Sequence, residues 1–110
     1  MQLPGAERVM VPGNKILGYL LSPSHPEGQA KARFFFGYGF SPTDEESFAK
    51  ALRDHALAHP ANLSKQNLYG TIYFVDGPLA VPDGRAPKVR SVWIIEKGSD
   101  TPRLVTAYPL

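Results

Sequence analysis

The sequence changes its hydrophobic period once, near Leu68. Before that point apolar residues recur at intervals of three and four, as one face of a helix demands. After it, β-branched and aromatic residues gather in short runs closed by Gly and Pro, as strands demand. Helices followed by strands predict an α+β fold, with N-terminal helices packed on a C-terminal antiparallel sheet, a meander of three to four strands.

Within the first part, Arg8 to Val11 reads as a short strand that Pro12-Gly13 must end. Asn14 can cap a helix over residues 15–21, which Pro23 stops. Ser24-His25-Pro26-Glu27 reads as the entry of a second helix, since the missing N–H of Pro26 has no intrahelical partner in a first turn anyway. That helix is expected to end at Gly37 and to present Ala30, Phe34 and Gly37 on one face. The third has a capping-box signature in Thr43-Asp44-Glu45-Glu46, with its carboxylates where the helix dipole favours them. Phe48, Leu52, His55 and Ala56 then share a face, and Pro60 ends the helix.

The strands are expected over 68–75, 89–95 and 103–108, with turns at Asp76-Gly77-Pro78 and Pro82-Asp83-Gly84-Arg85. Alternation splits the last two strands into faces. Arg90, Val92 and Ile94, with Arg103, Val105 and Ala107, suit packing against helices. Ser91, Trp93 and Ile95, with Leu104, Thr106 and Tyr108, would form the opposite face, paired on the assumption that Ile95 meets Leu104. That mixed face is either an amphipathic cover or a surface where aromatics stack on bases and hydroxyls meet phosphate.

Composition narrows the chemistry. A chain of 110 residues, 43% hydrophobic, fits one domain over residues 1–110. With no Cys there is no disulfide, no thiolate metal site and no cysteine nucleophile. The chain has no run of about 18 apolar residues to span a membrane, and its start lacks a signal-peptide pattern. A cytoplasmic protein without a membrane partner is expected. Twelve Lys and Arg against ten Asp and Glu leave a net charge of +2, too mild to announce a nucleic-acid binder. The cations concentrate among the strands, with five against three acids over residues 83–103.

Three imidazoles are candidates for proton transfer. His55 lies on the apolar stripe of its helix and reads as a satisfied core histidine, while His59 sits at a frayed helix end. His25, between Ser24 and Pro26 and followed by Lys31 and Arg33, is either a solvated loop residue or a general base with a cation in reach. Gly37-Tyr38-Gly39-Phe40 lacks the third glycine of a dinucleotide site and the lysine of a phosphate loop. No metal-ligand spacing and no nucleophile elbow occur, and no cofactor is expected.

Two groups of residues carry a resemblance. One is Lys15 to Pro26 with Gly28, Lys31-Ala32-Arg33-Phe34-Phe35 and Gly39-Phe40. The other is Gly70, Asp76-Gly77-Pro78, Pro82 to Arg85, Val89 to Ile95 and Pro102 to Tyr108. Together they resemble a family of small bacterial domains of unknown function, found alone and at the C-termini of phage head-morphogenesis and polymorphic-toxin proteins. The order of elements is similar to that of barnase, colicin and RelE-like ribonuclease toxins, a fold-level analogy. It implies a metal-independent endoribonuclease of toxin type, with His25, Lys31, Arg90 and Thr106 catalytic and Ser91, Trp93, Arg103 and Tyr108 binding substrate. Its partner would be RNA. The alternative is a non-enzymatic immunity or adaptor module that presents its aromatic sheet face to a cognate protein.

Overall fold

The computed structural model describes residues 1–13 and 29–110. The helix expected over 15–21 and the helix entry at His25-Pro26 lie outside the described residues. A 3-10 turn, Ala6–Arg8, is followed by helices α1 (Gln29–Gly37) and α2 (Glu45–Ala58). Strands β1 (Ala61–Asn67), β2 (Gly70–Pro78), β3 (Lys88–Glu96) and β4 (Arg103–Pro109) come next. They form one antiparallel sheet in the order β1-β2-β3-β4, so the fold is α+β, with its described helices ahead of the sheet. Among the described residues no helix is long and apolar enough to cross a membrane.

Where a strand was expected over Arg8 to Val11, the chain makes the 3-10 turn and then a single parallel bridge between Met10 and Arg103. Helix α2 begins one residue later than the capping-box pattern implies. The Thr43 hydroxyl is taken up by Ser41 Oγ at 2.8 Å, so Asp44 becomes the cap and accepts from Ser47 N at 3.3 Å. The helix buries Phe48, Leu52, His55 and Ala56, the face its spacing assigns.

Helix α1 turns a different face inward from the one expected. Ala32 and Phe35 are buried, while Ala30 and Gly37 are exposed and Phe34 is half-buried. The reason is aromatic packing: Phe35 meets Phe48 edge-on at 4.8 Å, and Phe40 closes on Phe48 at 4.9 Å. Leu3, Leu52, Val75, Leu79, Val89, Trp93 and Leu104 complete the core between the helices and one face of the sheet.

The sheet differs from the expectation in three ways. Strand β1 was not anticipated, because its sequence is polar and one residue of seven is buried; main-chain bonds to β2 make it a strand. Leu68-Tyr69 is the tip of the β1–β2 hairpin rather than the start of a strand, held by Asn67 Oδ1, which accepts from Tyr69 N at 2.8 Å and Gly70 N at 3.2 Å. Finally, β2 continues through Asp76, Gly77 and Pro78 to pair with Arg90, Val89 and Lys88.

The faces of the last hairpin are the reverse of those expected for β3. Val89, Ser91 and Trp93 point into the core, and Arg90, Val92 and Ile94 lie on the second face. Val92 pairs with Thr106 and Trp93 with Leu104, so Val105 is an extra residue and the register slips by one. This bulge lets Leu104 and Ala107 both reach the core despite their odd spacing, while Thr106 and Tyr108 join Arg90 on the second face. The assumed pairing of Ile95 with Leu104 is therefore corrected.

Candidate functional site

Two polar groupings stand out, one inside the core and one on the second face. In the core, Trp93 Nε1–H donates to Ser91 Oγ at 2.9 Å, and Ser91 Oγ lies 2.9 Å from His55 Nδ1. His55 Nε2 lies 3.0 Å from the Gly77 carbonyl, which can accept but not donate. One proton arrangement satisfies all of them: Trp93 gives to Ser91, Ser91 gives to Nδ1, and Nε2–H gives to Gly77 O. His55 is thus neutral, and burial holds its pKa below the ordinary imidazole value. Ser91 and Trp93 are fully buried, which corrects their expected place on a face open to substrate. The mixed polar character that singled them out is this internal network.

The second face carries the remaining candidates. Arg90 on β3 makes a two-pronged ion pair with Asp76 on β2, Nε to Oδ1 at 2.7 Å and NH2 to Oδ2 at 2.8 Å. Its guanidinium lies 4.1 Å from the centre of the Phe74 ring. The Arg90 hydrogen bond holds the Asp76 carboxyl below its usual range. Asp76, helped by the Tyr108 phenol, keeps the guanidinium charged well above its usual range. Tyr108 sits directly across from Arg90 on β4. From the other side Lys31, near the start of α1, brings its Nζ to 5.9 Å from the Tyr108 ring centre.

Thr106 lies two positions along the same face from Tyr108, and its Oγ1 is buried without a hydrogen-bond partner among the described residues. Lys31, Arg90, Thr106 and Tyr108 are therefore brought to one area. Arg103 is not, since it pairs with Ile94 farther along the strand and its guanidinium is held by Glu96 at 2.7 Å. His25 lies outside the described residues. Among the described residues no three His, Asp or Glu side chains gather as a metal site requires.

Asp76 and Phe74 were missed. Asp76-Gly77-Pro78 has the composition of a turn, and that reading hid the cross-strand position of Asp76 opposite Arg90. An ionic pair at the end of two aromatic and β-branched strands is the signal that was available.

No curated protein matches the sequence. Among solved structures, a chain of a contact-dependent growth inhibition toxin–immunity protein complex from Klebsiella pneumoniae 342 aligns with a TM-score of 0.68. The identity is 15%, and 97% of each chain is covered, so the two share a fold. The family model for a domain of unknown function, DUF6883, matches residues 2–110, and the chain belongs to that family.

Proposed function

We propose that the domain is a metal-independent endoribonuclease of toxin type, with its centre at Lys31, Arg90, Thr106 and Tyr108. The observation that carries this reading is the Thr106 hydroxyl, buried and unpartnered among the described residues, beside a tyrosine that two cations approach. A buried hydroxyl without a partner is costly, and a phosphate oxygen would complete it. The shared fold with a chain of a toxin–immunity complex supports a place in such a system.

In the proposed reaction His25 takes the proton of a ribose 2′-hydroxyl and the oxygen attacks the adjacent phosphorus. The bond from phosphorus to the 5′ oxygen breaks, that oxygen takes a proton from water, and a 2′,3′-cyclic phosphate is left. Lys31 and Arg90 offset the charge of the phosphorane, Thr106 holds a phosphate oxygen, and Tyr108 stacks a base. Ser91 and Trp93 support the site from the core side of the same strand.

One observation favours the alternative immunity or adaptor reading: Asp76 already occupies two donors of Arg90. The readings separate in a cleavage assay with EDTA present. Wild-type protein is expected to yield fragments ending in cyclic phosphate, and Lys31→Ala to slow this by roughly 10²-fold. Intact RNA, or a Lys31→Ala variant as active as wild type, overturns the enzyme reading.

A further inference from the structure

The second face of the sheet continues beyond the centre at Lys31, Arg90, Thr106 and Tyr108. Register places Ile72 across from Ile94 and Phe74 across from Val92 on that face. All four are half-buried, and none belongs to the core that the helices close on the first face. Arg90 lies over the Phe74 ring, which leaves Ile72, Val92 and Ile94 as an apolar floor. Arg103, paired with Ile94, stands at the far end of that floor, four residues along β3 from Arg90, or about 13 Å.

Charge gathers on the same face. Alternation puts Lys65, Lys88, Arg90 and Arg103 there, and Lys31 reaches in from α1. Among these strand positions the acids are Asp76 and Glu96. Five cations against two acids exceed the +2 of the whole chain, so the rest of the molecule is slightly acidic. Each acid also fixes an arginine. Asp76 holds Arg90, and Glu96 holds Arg103 through Nε at 3.0 Å and NH2 at 2.7 Å. A carboxylate held this way takes two of the five guanidinium hydrogens and leaves the others, in a set direction, for a second anion.

A ligand that fits this face carries negative groups at two ends and flat apolar surface between them. Unpaired RNA has both, because every base offers a π-face once it leaves its stack. Duplex RNA has only the charge, since its bases face one another and the floor would be left against sugar and phosphate. The three aliphatic side chains of the floor have no hydrogen-bonding atom, so they cannot read base edges. We propose that the substrate is unpaired RNA of no fixed sequence, its bases lying on Ile72, Val92 and Ile94 and a phosphate beyond them on Arg103. The inference rests on the ribonuclease reading for the identity of the polymer.

The test is fluorescence anisotropy of wild-type protein with labelled 2′-O-methylated oligonucleotides, unpaired or in a duplex, and cleavage of the unmethylated forms in EDTA. Unpaired oligomers are expected to bind at least about tenfold more tightly than the duplex, with oligo-U and oligo-A alike within a few-fold. Ile94→Ser and Ile72→Ser should each weaken binding by about fivefold or more at an unchanged salt slope. Arg103→Ala, at an exposed side chain, should reduce the slope of log affinity against log salt by about 0.7, and it keeps the test decisive if a floor variant fails to melt cooperatively. Duplex bound and cut as well as unpaired RNA, or an Arg103→Ala slope equal to that of wild type, overturns this inference and leaves the ribonuclease reading standing. Displacement of the RNA by poly-L-glutamate as readily as by unpaired RNA also overturns it, in favour of an acidic protein. Unpaired RNA bound as expected but left intact supports the inference and removes the catalytic reading, whereas no binding of any RNA removes both.

Discussion

Ser91 Oγ accepts from Trp93 and gives its own proton to His55. Truncation to Ser91→Ala therefore strands a buried donor and a buried acceptor. A loss of about 2–4 kcal/mol is expected by urea denaturation. Protonating His55 conflicts with the same network, because Nδ1 is the acceptor there. The folded-state pKa is depressed below the unfolded one, so the stabilisation is complete above the ordinary imidazole pKa and is lost as pH falls through the folded value. Denaturation midpoints should decline between about pH 7 and pH 5, and in His55→Gln the decline should be shallower. Thr106 behaves oppositely. Its Oγ1 contributes no hydrogen bond among the described residues, so Thr106→Val should leave the melt unchanged or raise it while RNA cleavage falls. Loss of both together would assign Thr106 a structural role.

Helix α2 was legible from its sequence because its signals agree: acids in the first turn, apolar spacing of three and four, and Pro60 beyond the end. The strands were legible in number more than in position. Alternation alone placed Trp93 and Ser91 on the wrong face, since a tryptophan N–H and a serine hydroxyl look polar until a buried histidine from another element satisfies them. The bulge at Val105 carried no composition signal at all. Strand β1 was invisible because backbone pairing, not side-chain burial, defines it. Its hairpin depends on Gly70, where φ is 154° and a Cβ would stand 2.3 Å from Ile95 O. Gly70→Ala is expected to cost more than about 1 kcal/mol in a chemical melt, whereas substitutions at exposed Leu68 cost nothing measurable.

At the scale of the whole molecule, the sheet separates two tasks. Its first face is a core closed by Phe35, Phe48 and Trp93. Its second face collects Asp76, Arg90, Thr106 and Tyr108, with Lys31 reaching in from α1. Sequence had pointed to four of these five as site residues, but for β3 it assigned the wrong neighbours to them. A net charge of +2 gives only a weak long-range pull on RNA, so under the proposed ribonuclease reading affinity comes from local contacts. Raising salt should then weaken binding by the few phosphates held there rather than by a large counterion release. Under the proposed reading this second face holds RNA phosphate. The most direct test is an amide and side-chain NMR titration of the isotopically labelled domain with a 2′-O-methylated RNA, which binds but cannot be cleaved. Shifts that saturate together at Lys31, Arg90, Thr106 and Tyr108 are the expected result. Shifts confined to other surfaces, or none at any RNA concentration, would contradict it.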